Sequence, residues 1–294
     1  MGAGSRQRVQ HASLLAATAA LLWLGASTAD AAQRRVSVPI PLDSGRVVEA
    51  QLRMPADSLG PQPVVMLFGG FRGAATVLDA VPADLPLIAA SFDYPFDPPR
   101  RFRFPQSFGD LPALARGIDE TFEGIAKLTT ALRARDDVDA TRMTIVGASL
   151  GAPFAITAAD RLDLPGVVIA HGFAELRRVI AHQFIRKLEP RYGAWTRAPA
   201  WGLANALVWG FGLPVTERHA AALRKNQRAL MIVAEEDELI PRAATDTLWA
   251  ALQESQARVQ RDEHPGPHLQ GSDDPRIAEL VASALTWMRR VDLR

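Results

Sequence analysis

The sequence has no cysteine, and this absence excludes several kinds of chemistry. Without a thiol the chain can form no disulfide, no thiol nucleophile, no thiolate metal site and no lipid-modified cysteine. An excess of charge of either sign is also missing, since 33 Lys and Arg residues stand against 32 Asp and Glu residues. Affinity for nucleic acid comes mainly from an excess of basic residues, so the composition makes no case for nucleic acid binding.

One long apolar run lies near the N-terminus, between Ala12 and Ala26. Arg6 and Arg8 precede it, and the run is followed by Ala29-Asp30-Ala31, the small-x-small pattern that signal peptidase cleaves. We therefore predict a signal peptide at residues 1–32 and a periplasmic or secreted mature protein. The alternative is a retained membrane anchor, although a spanning helix needs about 20 apolar residues.

The rest of the chain, residues 33–294, is long enough for one large α/β domain, and 48% of the whole sequence is hydrophobic. Two segments near its start predict a hairpin at a sheet edge, and short apolar runs then alternate with helical patterns, which is typical of a mostly parallel sheet flanked by helices. The predicted strands are 63–68, 87–92, 144–146, 166–170, 228–234 and 257–261.

The segment Thr144–Ala152 is the most informative stretch of the sequence. It contains a short apolar strand, then Gly147-x-Ser149-x-Gly151, then a helix of small and apolar residues. This order predicts a nucleophile elbow, a sharp strand-to-helix turn that exposes a strained serine. The glycines have a steric reason, because a Cβ at either flank of the turn would clash with the neighbouring backbone. The alternative is a glycine turn in which Ser149 only caps the helix.

With these residues the chain resembles the α/β-hydrolase superfamily, and more specifically its esterase branch, which includes dienelactone-hydrolase-like proteins. The resemblance covers nearly everything after the leader. It implies a nucleophile, an acid and a base in that chain order, each at the end of a strand.

A second glycine-rich turn, Gly69-Gly70-Phe71, follows the predicted strand at 63–68. In the resembled family a His-Gly-x turn at this place supplies a backbone N–H to the oxyanion hole. The resemblance therefore implies Phe71 and Leu150 as the two donors, with Gly70 near the substrate. Gly69 stands where histidine is usual, which leaves open how the turn is held. A phosphate-binding loop is disfavoured because no Gly-Lys-Ser/Thr follows.

By the same resemblance Asp237 is the acid, because Asp237-Glu238-Leu239-Ile240-Pro241 matches the family's acid turn. Glu235 and Glu236 adjoin it and remain alternatives. The acidic cluster could also serve only the N-terminus of the helix that follows, where carboxylates are favourable.

Two histidines after the last strand, His264 and His268, compete for the role of base. His268 matches the family's Gly-x-His ending and is preferred, with His264 as loop support. His171 follows the strand at 166–170 and is rejected as base because in the family the base comes last. It could still line the pocket.

Residues 173–226 interrupt the alternation and predict an inserted helical cap. Their second half is apolar and holds three of the six tryptophans, among them Trp201 and Trp209. We expect these two side chains to line a substrate pocket or to pack over the sheet. Contact with a membrane, through this cap or through the leader, is the alternative.

These features predict a serine hydrolase that acts on a small acyl ester through Ser149, His268 and Asp237, with no metal and no organic cofactor. Two alternatives remain open: a catalytically silent hydrolase-like binding protein, and a membrane-associated lipase or thioesterase. The sequence does not indicate an oligomeric state.

Overall fold

The computed structural model describes residues 33–56, 60–70, 73–96, 111–211, 215–269, 274 and 276–292. The predicted leader (1–32) and the predicted oxyanion donor Phe71 lie outside the described residues. Both therefore stay predictions.

The described residues form eight strands in a single sheet. The strands are β1 (Gln33–Pro41), β2 (Val47–Pro55), β3 (Gln62–Phe68), β4 (Ile88–Phe92), β5 (Val138–Ala148), β6 (Gly166–Ala170), β7 (Arg228–Ala234) and β8 (Arg258–His264). Their order across the sheet is β1-β2-β4-β3-β5-β6-β7-β8. β2 pairs antiparallel with β1 and β4, and all other neighbours are parallel. The predicted opening hairpin and the mostly parallel sheet are confirmed.

Eight helices connect or flank these strands within the described residues. They are α1 (Ala74–Asp79), α2 (Leu111–Arg133), α3 (Gly151–Arg161), α4 (Leu176–Tyr192), α5 (Arg197–Phe211), α6 (Thr216–Ala221), α7 (Arg242–Glu254) and α8 (Arg276–Asp292). Helices α4, α5 and α6 all lie between β6 and β7 in the chain, which is the predicted helical insertion. No described helix is long and apolar enough to cross a membrane.

The sheet is covered on both faces, and strand alternation explains how. Val167 and Ile169 of β6 belong to the large core that also includes side chains of α2, α3 and α7. Val168 and Ala170 belong to a second core, closed by α8 through residues such as Trp287. Successive side chains of a strand point to opposite faces, so apolar residues in consecutive positions require helices on both sides. This is why the central strands read as continuous apolar runs.

The parallel strands β3, β5, β6, β7 and β8 all end at the same edge of the sheet. The residues that follow their last positions therefore converge in space, although they are far apart in the sequence. Ligand and catalytic sites of α/β sheets lie at this edge.

Candidate active site

Ser149 occupies a strained turn between the end of β5 and the start of α3. Its φ is +53°, a left-handed value that a residue with a side chain seldom adopts. Its backbone N–H donates to the carbonyl of Ala170, the last residue of β6, over 2.8 Å. Such strain persists only where the surroundings impose it, and it is typical of functional positions. The geometry is that of the predicted elbow.

The two flanking glycines permit this turn for the steric reason that the sequence suggested. A Cβ on Gly147 would lie 2.4 Å from the carbonyl oxygen of Gly151 and 2.6 Å from the Cβ of Ala155. A Cβ on Gly151 would lie 2.0 Å from the carbonyl oxygen of Phe68. Because these obstacles are mainly backbone atoms, neither position tolerates a side chain while the elbow keeps its shape.

Asp237 lies in the turn between β7 and α7, and its carboxylate is fixed by backbone donors. Oδ1 accepts the N–H groups of Leu239 and Ile240, each over 2.9 Å. Oδ2 is left to face the histidines. The backbone N–H of Glu235 donates to the carbonyl of His264, the last residue of β8, and the N–H of Glu236 donates to the carbonyl of Gly266 in the loop that follows. The acid turn is therefore hydrogen-bonded to the end of β8 and to its loop.

His268 connects the acid with the serine. Its Nδ1 lies 2.7 Å from Asp237 Oδ2, and its Nε2 lies 3.0 Å from Ser149 Oγ. The imidazole is buried. With Nδ1 protonated, the lone pair of Nε2 faces the serine hydroxyl, which is the arrangement a base requires.

The preference for His268 over His264 has a structural reason. His264 is still the last residue of β8, and its carbonyl accepts the N–H of Glu235 over 2.9 Å. The chain then reverses at Gly266, whose φ is +96°, and only after this reversal does His268 reach the serine. Of the two imidazoles, it is therefore that of His268 that contacts Ser149.

His171, which the sequence rejected as base but left as a possible pocket residue, is a third buried group at the site. It follows β6, has a φ of +51°, and its Nδ1 lies 3.6 Å from Asp237 Oδ2. Its ring meets the His268 ring edge-on with centroids 4.9 Å apart. Neither ring nitrogen has a hydrogen-bond partner among the described residues. The rejection of His171 as base agrees with this geometry, because the imidazole in contact with the Ser149 hydroxyl is that of His268.

Burial and charge set the protonation states of these groups. Burial lowers the pKa of His171 below its ordinary value and outweighs the opposing attraction of Asp237, so the imidazole is held neutral. Burial opposes ionisation of Asp237, but the adjacent imidazoles of His171 and His268 and the Ile240 N–H reverse the balance. The pKa of Asp237 therefore lies well below its usual range, and the carboxylate is ionised.

The glycine turn after β3 is braced by an aromatic residue rather than by a histidine. The hydroxyl of Tyr94 donates to the carbonyl of Gly69 over 2.6 Å. A Cβ on Gly69 would lie 2.8 Å from Cγ1 of Val77, a residue of α1, so a histidine could not take this place without a rearrangement. Gly70 has open space around its Cβ position. This answers how the turn is held without the family's histidine.

Leu150 precedes the first residue of α3, next to Ser149. Backbone N–H groups at a helix N-terminus have no partner within the helix, and the helix dipole favours negative charge there. The Leu150 N–H is therefore in a place suited to bind an oxyanion, and its role as an oxyanion donor stays a prediction.

The cluster of His171, Asp237 and His268 also has donor atoms of the kind that bind metals, all within 4.8 Å of one another. However, His268 Nδ1 and Asp237 Oδ2 are only 2.7 Å apart, which is the length of a hydrogen bond. A metal bound to both at about 2.1 Å in a tetrahedral arrangement would push them further apart. The geometry fits a proton between the two atoms better than an ion.

The two tryptophans predicted to bind substrate differ in position. Trp201 lies in α5, and the guanidinium of Arg178 from α4 is 6.0 Å from its ring centroid. Trp209 is 89% exposed near the end of α5. Substrate binding by either residue stays a prediction.

The cap itself contacts the acid turn through α4. His182 Nε2 lies 2.9 Å from the Glu238 carbonyl, and the Gln183 amide donates to the Leu239 carbonyl.

No family model matches the chain, and no curated protein is significantly similar in sequence. Solved structures are similar in fold. An acetyl xylan esterase from Thermoanaerobacterium sp. JW/SL YS485 is 16% identical with a TM-score of 0.61, and the match covers 89% of this chain and 84% of that one. A dienelactone hydrolase-like promiscuous phosphotriesterase from metagenomic libraries is 15% identical with a TM-score of 0.60, over 88% and 99% of the two chains.

A puromycin-hydrolyzing peptidase from Mycobacterium tuberculosis is 14% identical with a TM-score of 0.64, and the match covers 88% of this chain but 39% of that one. At such identities the likeness establishes the fold. The chain has the α/β-hydrolase fold, as the sequence predicted.

Proposed function

We propose that this chain, with its α/β-hydrolase fold, is a serine hydrolase that cleaves carboxylic esters. One observation carries the proposal: the unbroken line of contacts from Ser149 Oγ through His268 to Asp237, with separations of 3.0 and 2.7 Å. A serine is a weak nucleophile unless an adjacent base can take its proton. Here the base is in contact with the hydroxyl and is itself oriented by an ionised carboxylate.

The reaction follows from these positions. His268 Nε2 takes the proton of Ser149 as Oγ attacks the acyl carbon, and Asp237 stabilises the resulting imidazolium without taking its proton. The N–H of Leu150 and a donor from the turn after β3 bind the tetrahedral oxyanion, each contributing about 3 kcal/mol. His268 then protonates the leaving alcohol, and an acyl-enzyme remains. Water, activated by the same imidazole, releases the acid and restores Ser149.

The names of the similar structures bear on the substrate class. Two of the similar structures are named as an acetyl xylan esterase and a phosphotriesterase, which favours an ester. A third is named as a peptidase, and an amide or a thioester would use the same three residues. The inactive binding protein suggested by sequence is disfavoured, because none of the three residues is replaced or displaced.

A labelling experiment and a substrate panel test the proposal together. A fluorophosphonate should modify one serine, and mass spectrometry should locate the adduct on the peptide that contains Ser149. The panel consists of p-nitrophenyl esters of increasing acyl length and the matching p-nitroanilides. We expect turnover of the esters, and Ser149→Ala should lose both the label and the turnover.

Two results would contradict the proposal. A folded protein that neither reacts with the fluorophosphonate nor hydrolyses any ester would favour the binding protein. Preferential turnover of the anilides, with labelling intact, would keep the nucleophile and replace the ester by an amide.

A further inference from the structure

The large apolar side chains exposed on this protein are concentrated in the cap. Among the described residues, the exposed large apolar side chains include Tyr192 (50%), Trp195 (70%), Trp201 (36%), Trp209 (89%) and Val215 (52%), and outside this segment only Val47 joins them. The tryptophans of the body behave differently: Trp287 is buried, and Trp249 packs partly against the core. A concentration of exposed aromatic side chains in one segment favours an interaction site there.

Helix α5 presents an unusual face to the outside. No charged residue occurs between Arg197 and Glu217, so almost the whole helix is uncharged. Its exposed positions beyond Arg197 recur every three or four residues and are Ala198, Pro199, Trp201, Gly202, Asn205, Ala206 and Trp209. The outer face of a helix in water normally carries charged side chains. An uncharged outer face that ends in an exposed tryptophan is suited to an apolar or interfacial environment.

The cap as a whole is strongly basic, although α5 itself carries almost no charge. Residues 173–226 contain nine of the 33 Lys and Arg residues but only three of the 32 Asp and Glu residues. Lys187 and Arg191, both exposed on α4, take part in no ion pair between described residues. The Arg191 guanidinium lies 5.3 Å from the ring centroid of Tyr192, so charge and aromatic surface adjoin.

We propose that the cap, residues 173–226, docks onto an anionic lipid surface. Tryptophan and tyrosine are favoured at the boundary between headgroups and acyl chains, and basic residues beside them are attracted by anionic headgroups. A second copy of this chain is a poorer occupant, because pairing two caps would bring two basic segments together. The proposal does not depend on the reaction at Ser149.

The cap also contacts the candidate active site. Helix α4 binds the carbonyls of Glu238 and Leu239, the two residues after Asp237, through its His182 and Gln183 side chains. The cap is thus in direct contact with the turn that holds the acid.

The test measures binding of the full chain to vesicles, with no readout of activity. Vesicles of phosphatidylcholine mixed with phosphatidylglycerol are compared with vesicles of phosphatidylcholine alone, by cosedimentation and by quenching of tryptophan fluorescence with brominated lipid. Trp195→Ser/Trp209→Ser should lose most of the quenching, since only the less exposed Trp201 remains on this face, and should bind the mixed vesicles at least about tenfold more weakly. Lys187→Glu/Arg191→Glu should bind them about thirtyfold more weakly, since each basic residue near an anionic surface contributes to attraction.

Matched controls separate the cap from the rest of the chain. The predicted leader is unchanged in every variant, so any binding through it is common to all. Arg289→Glu/Arg290→Glu reverses two exposed charges on α8, and Trp249→Phe removes a tryptophan of the body. Both should bind like the wild type.

Equal binding of the wild type and both cap variants would overturn the proposal, as would equal binding to neutral and anionic vesicles. A dimer that Trp195→Ser/Trp209→Ser abolishes, without vesicle binding, would assign the face to a second copy instead.

Discussion

The imidazole of His171 lies 3.6 Å from the carboxylate of Asp237, with its ring edge-on to that of His268. Both histidines therefore face one carboxylate, but only His268 also contacts the serine. His171 is buried and its two nitrogens have no hydrogen-bond partner among the described residues. Protonating it would place a positive charge in a buried site.

This arrangement predicts how stability depends on pH. Folding lowers the pKa of His171 below its ordinary value of about 6.5, because the buried site disfavours the charged form. Between the two pKa values the unfolded chain binds more protons than the folded one, so stability rises with pH. The contribution is complete above about pH 6.5 and is lost as the pH falls from there through the folded-state pKa.

His171→Phe should therefore flatten the decline of Tm between about pH 6.5 and pH 5, measured by calorimetry. Asp237 does not act in this window. Its pKa is also lowered on folding, but its stabilising effect is lost only as the pH falls below its unfolded value of about 3.9. An unchanged slope in His171→Phe would mean that His171 is not held neutral by the fold.

The second prediction distinguishes the two histidines of the loop after β8. His268→Ala should lower kcat for a p-nitrophenyl ester by at least about a thousandfold, because Ser149 loses the base that takes its proton. His264→Ala should reduce it far less, because the loop uses the backbone carbonyl of His264 rather than its ring. Steady-state kinetics of both variants, with circular dichroism to verify folding, decide the matter. A larger loss in His264→Ala would show that the wrong histidine has been assigned.

The third prediction concerns the carboxylate. Asp237→Asn should keep the fold, because its side-chain oxygen can still accept the N–H groups of Leu239 and Ile240. The amide nitrogen would then face His268 and donate to Nδ1, which moves the imidazole proton to Nε2, towards the serine. Turnover should fall by up to about ten-thousandfold. Turnover within about tenfold of the wild type would instead indicate that Glu235 or Glu236 can serve as the acid, the alternative that the sequence left open.

Much of the fold was predictable because the central strands are buried on both faces. Apolar runs such as Gly166–Ala170 and Arg228–Ala234 were read from the sequence with the bounds that the structure has. The short helix Ala74–Asp79 was not predicted, because six residues give too little periodicity. Strand β5 begins earlier than expected, at Val138, where pairing with β3 extends it across a register shift.

The candidate site was predictable where a residue type has a fixed place relative to a strand end. Ser149, Asp237 and His268 each follow a strand, and parallel strands bring their ends together whatever the intervening sequence. The role of His171 could not be foreseen in the same way. Its approach to Asp237 depends on the pairing of β6 with β7, which His171 continues by donating its N–H to the Ile232 carbonyl, and on a backbone with positive φ. Neither can be recognised in a single sequence. One signal was present: His171 also follows a buried strand at the edge where the site lies.

The brace on the glycine turn depends likewise on tertiary contacts. Gly69 stands where the resembled family has histidine, and two contacts explain how the turn is held without it. Val77 of α1 leaves no room for a Cβ at this position, and the hydroxyl of Tyr94, after β4, donates to the Gly69 carbonyl. Neither residue is close enough in sequence to be connected with Gly69 by pattern. Burial raises the pKa of Tyr94 above its ordinary value, so its hydroxyl remains a donor to the Gly69 carbonyl.

The last prediction tests whether this packing positions the turn for catalysis. The methyl group of Gly69→Ala would lie 2.8 Å from Val77 Cγ1, closer than carbon atoms can approach, so either the turn or α1 must move. A moved turn would misplace its backbone donor, and the loss of one oxyanion donor costs about 10²- to 10³-fold in kcat. We expect Gly69→Ala to lose at least about tenfold in kcat with little change in KM, since the donor acts on the transition state.

Val77→Ala removes the obstructing Cγ1 atom, so the double variant Gly69→Ala/Val77→Ala should recover most of that loss. Val77→Ala alone serves as the matched control and should leave kcat close to that of the wild type. Failure of the double variant to recover, with its fold intact, would mean that the rate loss does not arise from the contact between Gly69 and Val77.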